Sequence, residues 1–189
     1  MGLAQTQQVL AQLYTNTNFR ERFFANPEAV GTEFELSDDE AQQLAQSARQ
    51  INIFANSLKW KRLGEVRELL PRTAKVLGKD FTALFWQYAE TYLPQGIKKH
   101  IKDAIAFANF IEKTADNLVS DLVRYEKTWL LTSEGDRYFK VCWFRYAIHR
   151  DCKAQLTIAI WFRFPQGQLH HIVRGLGSRK ELDDYLLKI

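Results

Sequence analysis

The chain has 189 residues, of which 46% are apolar and 13% aromatic, enough for a sizeable core and unlike a disordered polypeptide. Its net charge of +4 is uneven: residues 1–45 hold two basic and seven acidic side chains, residues 46–113 twelve and six, and residues 114–189 twelve and nine. An acidic head before a basic middle argues for internal or partner docking over a nucleic-acid footprint, and charge interrupts every apolar run before ~18 residues, so no membrane span is expected.

The segment with Leu3, Val9, Leu10 and Leu13 as apolar positions predicts a first helix. It has neither the basic nor the apolar region of a signal peptide. Gly2 and Thr6 meet the loose myristoylation pattern, but a helix start accounts for them. Asn16 or Thr17 caps a short helix carrying Phe19, Phe23 and Phe24, which ends at Asn26-Pro27. Ser37 and Glu40 form a capping box, and Asp38 and Asp39 complement the positive helix end. Helical pattern then runs through Leu44, Ile51, Trp60, Leu63 and Val66 to Leu70, as one long helix or as two with a bend near Asn56-Ser57. Pro71 opens a short helix that Gly78 closes, and Asp80 caps the next, with Phe81, Leu84, Phe85, Tyr88 and Tyr92 on its apolar stripe. After Pro94 and Gly96, a helix follows with Ile97, Ile101, Ala104, Ala108 and Ile111 inward. Another runs from Asn117 to Leu130 on a stripe of Leu118, Leu122, Tyr125 and Trp129.

Beyond residue 137 the period falls to two. YFKVCWFRYAI, QLTIAIWFRF and LHHIVR read as three strands of an antiparallel meander. In the second, Leu156, Ile158, Ile160, Phe162 and Phe164 face one way, and Thr157, Trp161 and Arg163 the other. The first strand is apolar on both faces, so cover is expected on both sides: the bundle on one, and on the other a terminal helix capped by Ser178 with Leu182, Tyr185, Leu186 and Ile189. The expected fold class is α+β. A helical bundle domain occupies residues 1–130, and a small β-meander with a C-terminal helix, packed on the bundle, occupies 131–189.

The seven basic residues from Lys59 to Lys79 pose a choice between a nucleic-acid ridge and the exterior of a packed helix. On a helical wheel, Trp60, Leu63, Val66 and Leu70 fall within a sector of ~120°, while Lys61, Arg62 and Arg67 scatter. Glu68 and Arg72 stand i,i+4 and can neutralise each other. The pattern therefore favours a mixed-charge exterior. If DNA is bound instead, Lys59, Lys61, Arg62, Arg67, Lys75 and Lys79 are the candidate contacts.

The run from Trp60 to Lys113, followed by LVRYEKTWL, resembles a bacterial family labelled as a DNA-binding domain. The shared pattern is a basic helix, Leu70-Pro71, Leu77-Gly78 with Phe81, then Tyr88, Pro94, Ala106-Phe107 and Tyr125-Glu126. About residues 58–130 are also similar to the helical partner subunit of the iron-dependent oxygenase of methanobactin biosynthesis. The resemblance implies a subunit that rests against a modifying enzyme and helps hold a precursor peptide, with no catalytic residues of its own. About the first 45 residues, with LYTNTNFRERFFANPEAVGTEFELSDDE, also resemble small all-helical modules attached to enzymes and to modified-peptide leaders.

Metal and catalytic readings find little purchase. Of Cys142, His149, Cys152, His170 and His171, only His149 and Cys152 lie at close spacing. His170 and His171 are adjacent, so in a strand they point to opposite faces. Cys142 with His149 lacks any nucleophile signature. Gly175 to Glu181 places glycines and Ser178 before a predicted helix, which an ordinary N-cap explains. Two cysteines make no disulfide framework, and a cytoplasmic setting is expected. Trp161, Arg163 and Arg174 are predicted to share one sheet face, with His170 beside them, as an anchor for a partner. The third strand is an edge that can accept an extended peptide. The sequence thus predicts a non-catalytic accessory protein that docks a peptide or protein partner, with no cofactor and no metal. A DNA-binding regulator and a small metal-dependent or small-molecule enzyme are the alternatives.

Overall fold

The computed structural model describes residues 3–115, 117–132, 138–148 and 153–176. Among them, nine helices precede a three-stranded antiparallel sheet, so the fold is α+β as the sequence predicts. The predicted terminal helix lies outside the described residues. The backbone divides into two units, residues 1–64 with 86–93 and the remainder of the chain.

The first unit opens with α1 (Leu3–Thr15), α2 (Thr17–Ala25), α3 (Pro27–Glu33) and α4 (Asp38–Gln46). Each start has a local cause. The Asn16 side chain accepts the Phe19 amide, and the Asn26 side chain accepts the Ala29 amide ahead of Pro27 at the first helical position. Ser37 and Glu40 form the complete capping box. Val9, Leu13, Phe19, Phe23, Val30, Leu36, Leu44 and Ile51 form the core. The Arg20 side chain is buried and donates to the Leu13 carbonyl at 2.8 Å. The long helix breaks earlier than the expected bend near Asn56-Ser57. It parts at Ser47, whose hydroxyl donates back to the Gln43 carbonyl, and α5 (Ala48–Leu69) then runs unbroken.

The second unit holds the end of α5, then α6 (Pro71–Leu77), the start of α7 (Lys79–Thr91), α8 (Lys99–Thr114) and α9 (Asn117–Leu131). Gly78 closes α6 at φ 55 and ψ −116, a region open only to glycine. Two boundaries differ from expectation. Helix α7 begins at Lys79, so Asp80 sits in its first turn and is not its cap. Helix α8 begins at Lys99, which leaves Ile97 fully exposed before it. Phe81 and Phe85 both meet the Phe107 ring edge-on, with centroids 5.2 and 5.3 Å away.

Helix α6 has no cap from its own residues, since its N-cap is Leu70. Pro71 lacks an N–H, and the next two amides find Glu126 of α9. The Arg72 and Thr73 amides donate to its carboxylate at 2.8 and 2.9 Å, and the Thr73 hydroxyl donates at 2.6 Å. Arg72 itself reaches the Ile148 carbonyl and lies over the Tyr125 ring. The Leu70-Pro71 and Tyr125-Glu126 pairs are therefore one structural joint.

Strands β1 (Tyr138–Tyr146), β2 (Ala154–Arg163) and β3 (His170–Gly175) pair in sequence order. On one face the cross-strand rows are Lys140–Trp161–His171, Cys142–Ala159–Val173 and Phe144–Thr157–Gly175. This face meets α9 through Tyr125. The buried face of β2 is thus the reverse of the more apolar one: Thr157, Ala159 and Trp161 go in, while Leu156, Ile158, Ile160 and Phe162 are only half-buried. Small side chains let a helix approach closely, and Trp161 fills the remaining space beside Tyr125 and Trp129.

Candidate functional site

The opposite face of the sheet is a grid of nine side chains. Its rows are Phe139–Phe162–His170, Val141–Ile160–Ile172 and Trp143–Ile158–Arg174. Directly opposed residues share a face, so these project together, away from α9. Phe139 is 74% exposed, Trp143 56% and Ile172 44%. A contiguous apolar surface rimmed by polar residues marks an interaction site.

Clefts mark both ends of the grid. One, of about 430 Å³, is lined by Tyr138, Phe139, Phe162, Arg163, Phe164 and Pro165. Burial, followed by the nearby Cys142, pushes the Tyr138 phenol above its ordinary pKa. The other, of about 380 Å³, runs from Trp143 and Leu156 to Ser120, Asp121 and Arg124 of α9, with Arg145 beside it. There the Asp121 carboxylate accepts the Arg145 amide at 2.5 Å and the Arg124 guanidinium at 2.9 Å. Burial outweighs these partners and holds the Asp121 carboxyl above the usual carboxylate range. Arg124 also donates to the Trp143 carbonyl and lies over the Phe144 ring, which ties α9 to β1.

The residues predicted as a partner anchor do not share a face. Trp161 is 0% exposed, meets the Trp129 ring edge-on and the Tyr125 and His171 rings at a tilt, and belongs to the core. Arg163 lies on the same inner face and donates to the Thr132 carbonyl at the end of α9. Arg174 and His170 stand on the outer grid, where His170 stacks flat on Phe162 at 4.9 Å. The side chains that form the open surface, Phe139, Trp143, Phe162 and Ile172, are absent from that predicted set. The signal for Phe139 and Trp143 lies in the two-sided apolar pattern of β1.

Members of the basic segment are held individually. Lys59 donates to the Thr17 hydroxyl at 3.0 Å, and Arg62 donates to the Tyr92 carbonyl at 3.1 Å. Arg67 donates to the Thr82 hydroxyl at 2.8 Å and lies over the Phe81 ring. Arg72 spends its guanidinium on Ile148 and not on Glu68. Lys61 is exposed, as are Lys75 and Lys79. No group of three or more potential metal ligands occurs among the described residues. His170 and His171 point to opposite faces, as their adjacency predicts, Cys142 is buried, and His149 and Cys152 lie outside the described residues. No described helix is long and apolar enough to cross a membrane.

Residues 47–113 match the family described as SCO6045-like, C-terminal domain. The match covers α5 to α8, about a third of the chain, and stops short of α9 and the sheet. No curated protein matches the chain.

Proposed function

We propose that this protein is a non-catalytic accessory protein that docks a peptide or protein partner on the outer face and β3 edge of its sheet. The observation that carries this reading is the three-by-three grid, with exposed Phe139, Trp143 and Ile172 around an aliphatic centre. Among the described residues strand β3 is the last in the sheet order, and an edge strand of that kind can accept an added strand. The resemblance to partner subunits of peptide-modifying oxygenases supports the same reading and suggests an enzyme and its peptide substrate as the company it keeps. A photo-crosslinking phenylalanine placed at Trp143 or Ile172 is expected to capture one discrete polypeptide in cells, and the same group at exposed Glu68 is not. Equal capture at all three positions, or at none, overturns the reading.

DNA binding is the second reading. It rests on the basic excess of residues 46–113 and on exposed Lys61, Lys75 and Lys79. Counterion release makes its test a salt titration: DNA affinity would fall steeply with salt and with Lys75→Gln and Lys79→Gln. Duplex binding unchanged by those substitutions refutes it.

A further inference from the structure

We infer that the partner element on the outer face is an acidic amphipathic helix. The inference rests on the docking reading above and adds the chemistry and shape of what docks. Charge is the first argument. Of the four cations on the three strands, Lys140 and Arg163 belong to the inner face, whereas Arg174 stands on the outer grid and Arg145 is exposed near its Trp143 end. Residues 138–148 and 153–176, the described part of the sheet, contain no carboxylate. The acids of α9 that lie beneath are turned inward: Asp121 to Arg124 and the Arg145 amide, Glu126 to the start of α6. Among the described residues the outer face is therefore apolar at its centre and positive at its margin, with Arg174 on one edge strand and exposed Arg145 on the other. A complementary partner carries apolar residues on one side and carboxylates flanking them.

Shape is the second argument. Three strands spaced about 4.8 Å apart make a face about 10 Å wide, and the span from Phe139 to Trp143 adds about 14 Å of length. One α-helix, about 10–12 Å in diameter, fills that width and completes a helix–sheet–helix sandwich with α9. A single-stranded nucleic acid fits less well. Base stacking needs open ring faces along its path, whereas the middle row, Val141–Ile160–Ile172, is aliphatic, and His170 already lies flat on Phe162.

The test uses the full chain and three fluorescent peptides of about 16 residues, roughly 24 Å as a helix. Each has the same Leu and Phe face, and its other face is filled with Glu, Gln or Lys. A thymidine oligonucleotide is the fourth probe. The Glu peptide is expected to bind about tenfold or more tightly than the Gln peptide at low salt, with the gap closing at high salt. Arg145→Glu with Arg174→Glu, both at exposed positions, should erase that preference and leave Gln-peptide affinity in place. Trp143→Ser with Phe139→Ser should weaken all three. Equal binding of the Glu and Gln peptides overturns the acidic partner but leaves the docking reading standing. Failure of all three peptides overturns both. Tighter binding of the oligonucleotide assigns the face to nucleic acid. Self-association abolished by Trp143→Ser assigns it to a second copy. Suppressed radical labelling of Phe139 and Trp143 in the free monomer assigns it to the chain's own residues 177–189. Each of these last three outcomes also overturns the inference.

Discussion

Replacing Glu126 tests whether a side chain on α9 caps α6. Its carboxylate accepts the Arg72 amide on one oxygen, and the Thr73 amide and hydroxyl on the other, at a site only 6% exposed. A hydrogen bond to a charged group contributes about 1.5–3 kcal/mol, and a buried donor left without a partner costs about 1–3 kcal/mol. Glu126→Ala removes all three contacts and strands two amides, so the expected loss is about 4 kcal/mol, within the range for breaking a buried polar cluster. Glu126→Gln keeps one oxygen. Placed toward Thr73, that oxygen retains two contacts, while the new amide group confronts the Arg72 N–H, so the loss should be about 2 kcal/mol. Native-state hydrogen exchange reads the effect locally at the Arg72 and Thr73 amides, and urea unfolding reads it globally. A loss of 2 kcal/mol corresponds to about a 30-fold drop in protection, and 4 kcal/mol to about a thousandfold. Equal effects of the two substitutions, or a loss under about 1 kcal/mol for Glu126→Ala, would refute the capping argument.

Four further outcomes follow from the same geometry. Burial holds the Asp121 carboxyl above its unfolded value, so between about pH 4 and its raised pKa the folded chain binds a proton that the unfolded chain has released. Its contribution to stability is complete below that window and is lost as pH rises through it. Asp121→Asn, which keeps an acceptor for the Arg145 amide, should flatten this limb of a urea-midpoint profile, and an unchanged slope counts against it. Glu40 is shifted the other way, its carboxyl lowered first by the Ser37 amide and then by the Ser37 hydroxyl. Its contribution is therefore present at neutral pH and lost as pH falls through the lowered value, and Ser37→Ala should move the NMR-measured Glu40 pKa upward. Trp161→Ala should cost about 3–5 kcal/mol in urea unfolding, while Trp143→Ala on the outer grid should change stability by less than about 0.5 kcal/mol. The reverse order would invert the assignment of sheet faces. Gly78→Ala should cost about 1–3 kcal/mol through backbone strain alone, because an added Cβ meets nothing within 4 Å; a neutral result contradicts the positive φ.

The legible part of the site was its strands and their composition. The clean alternation of β2 and the doubled apolar pattern of β1 placed both segments and their meander. What stayed hidden was which parity of β2 faces α9. The strand's alternation puts Leu156, Ile158, Ile160 and Phe162 on one face and leaves Trp161 as the single large apolar group of the other, so periodicity favours burying the face that the structure leaves outside. An exposed Trp161 anchor is what that pattern predicts, because it places the more apolar parity inside. The helix chose the other side, where Ala159 and Thr157 leave room for Tyr125. The same inversion brought Phe139 and Trp143 to the surface.

By itself the sequence determined what a few neighbouring residues decide among themselves. Asn16, Ser37 with Glu40, Pro71 and Gly78 act through hydrogen bonds and dihedral limits within four residues, so their helix boundaries follow from the residues alone. Tertiary structure decided what depends on contacts far apart in the chain. Glu126 serves Arg72 and Thr73 across more than fifty residues, and the sheet's inner and outer faces are fixed by the helix that packs on one of them. Local rules set each element's type, but burial of one face and exposure of the other is a competition between alternative packings, which no segment settles by its own pattern.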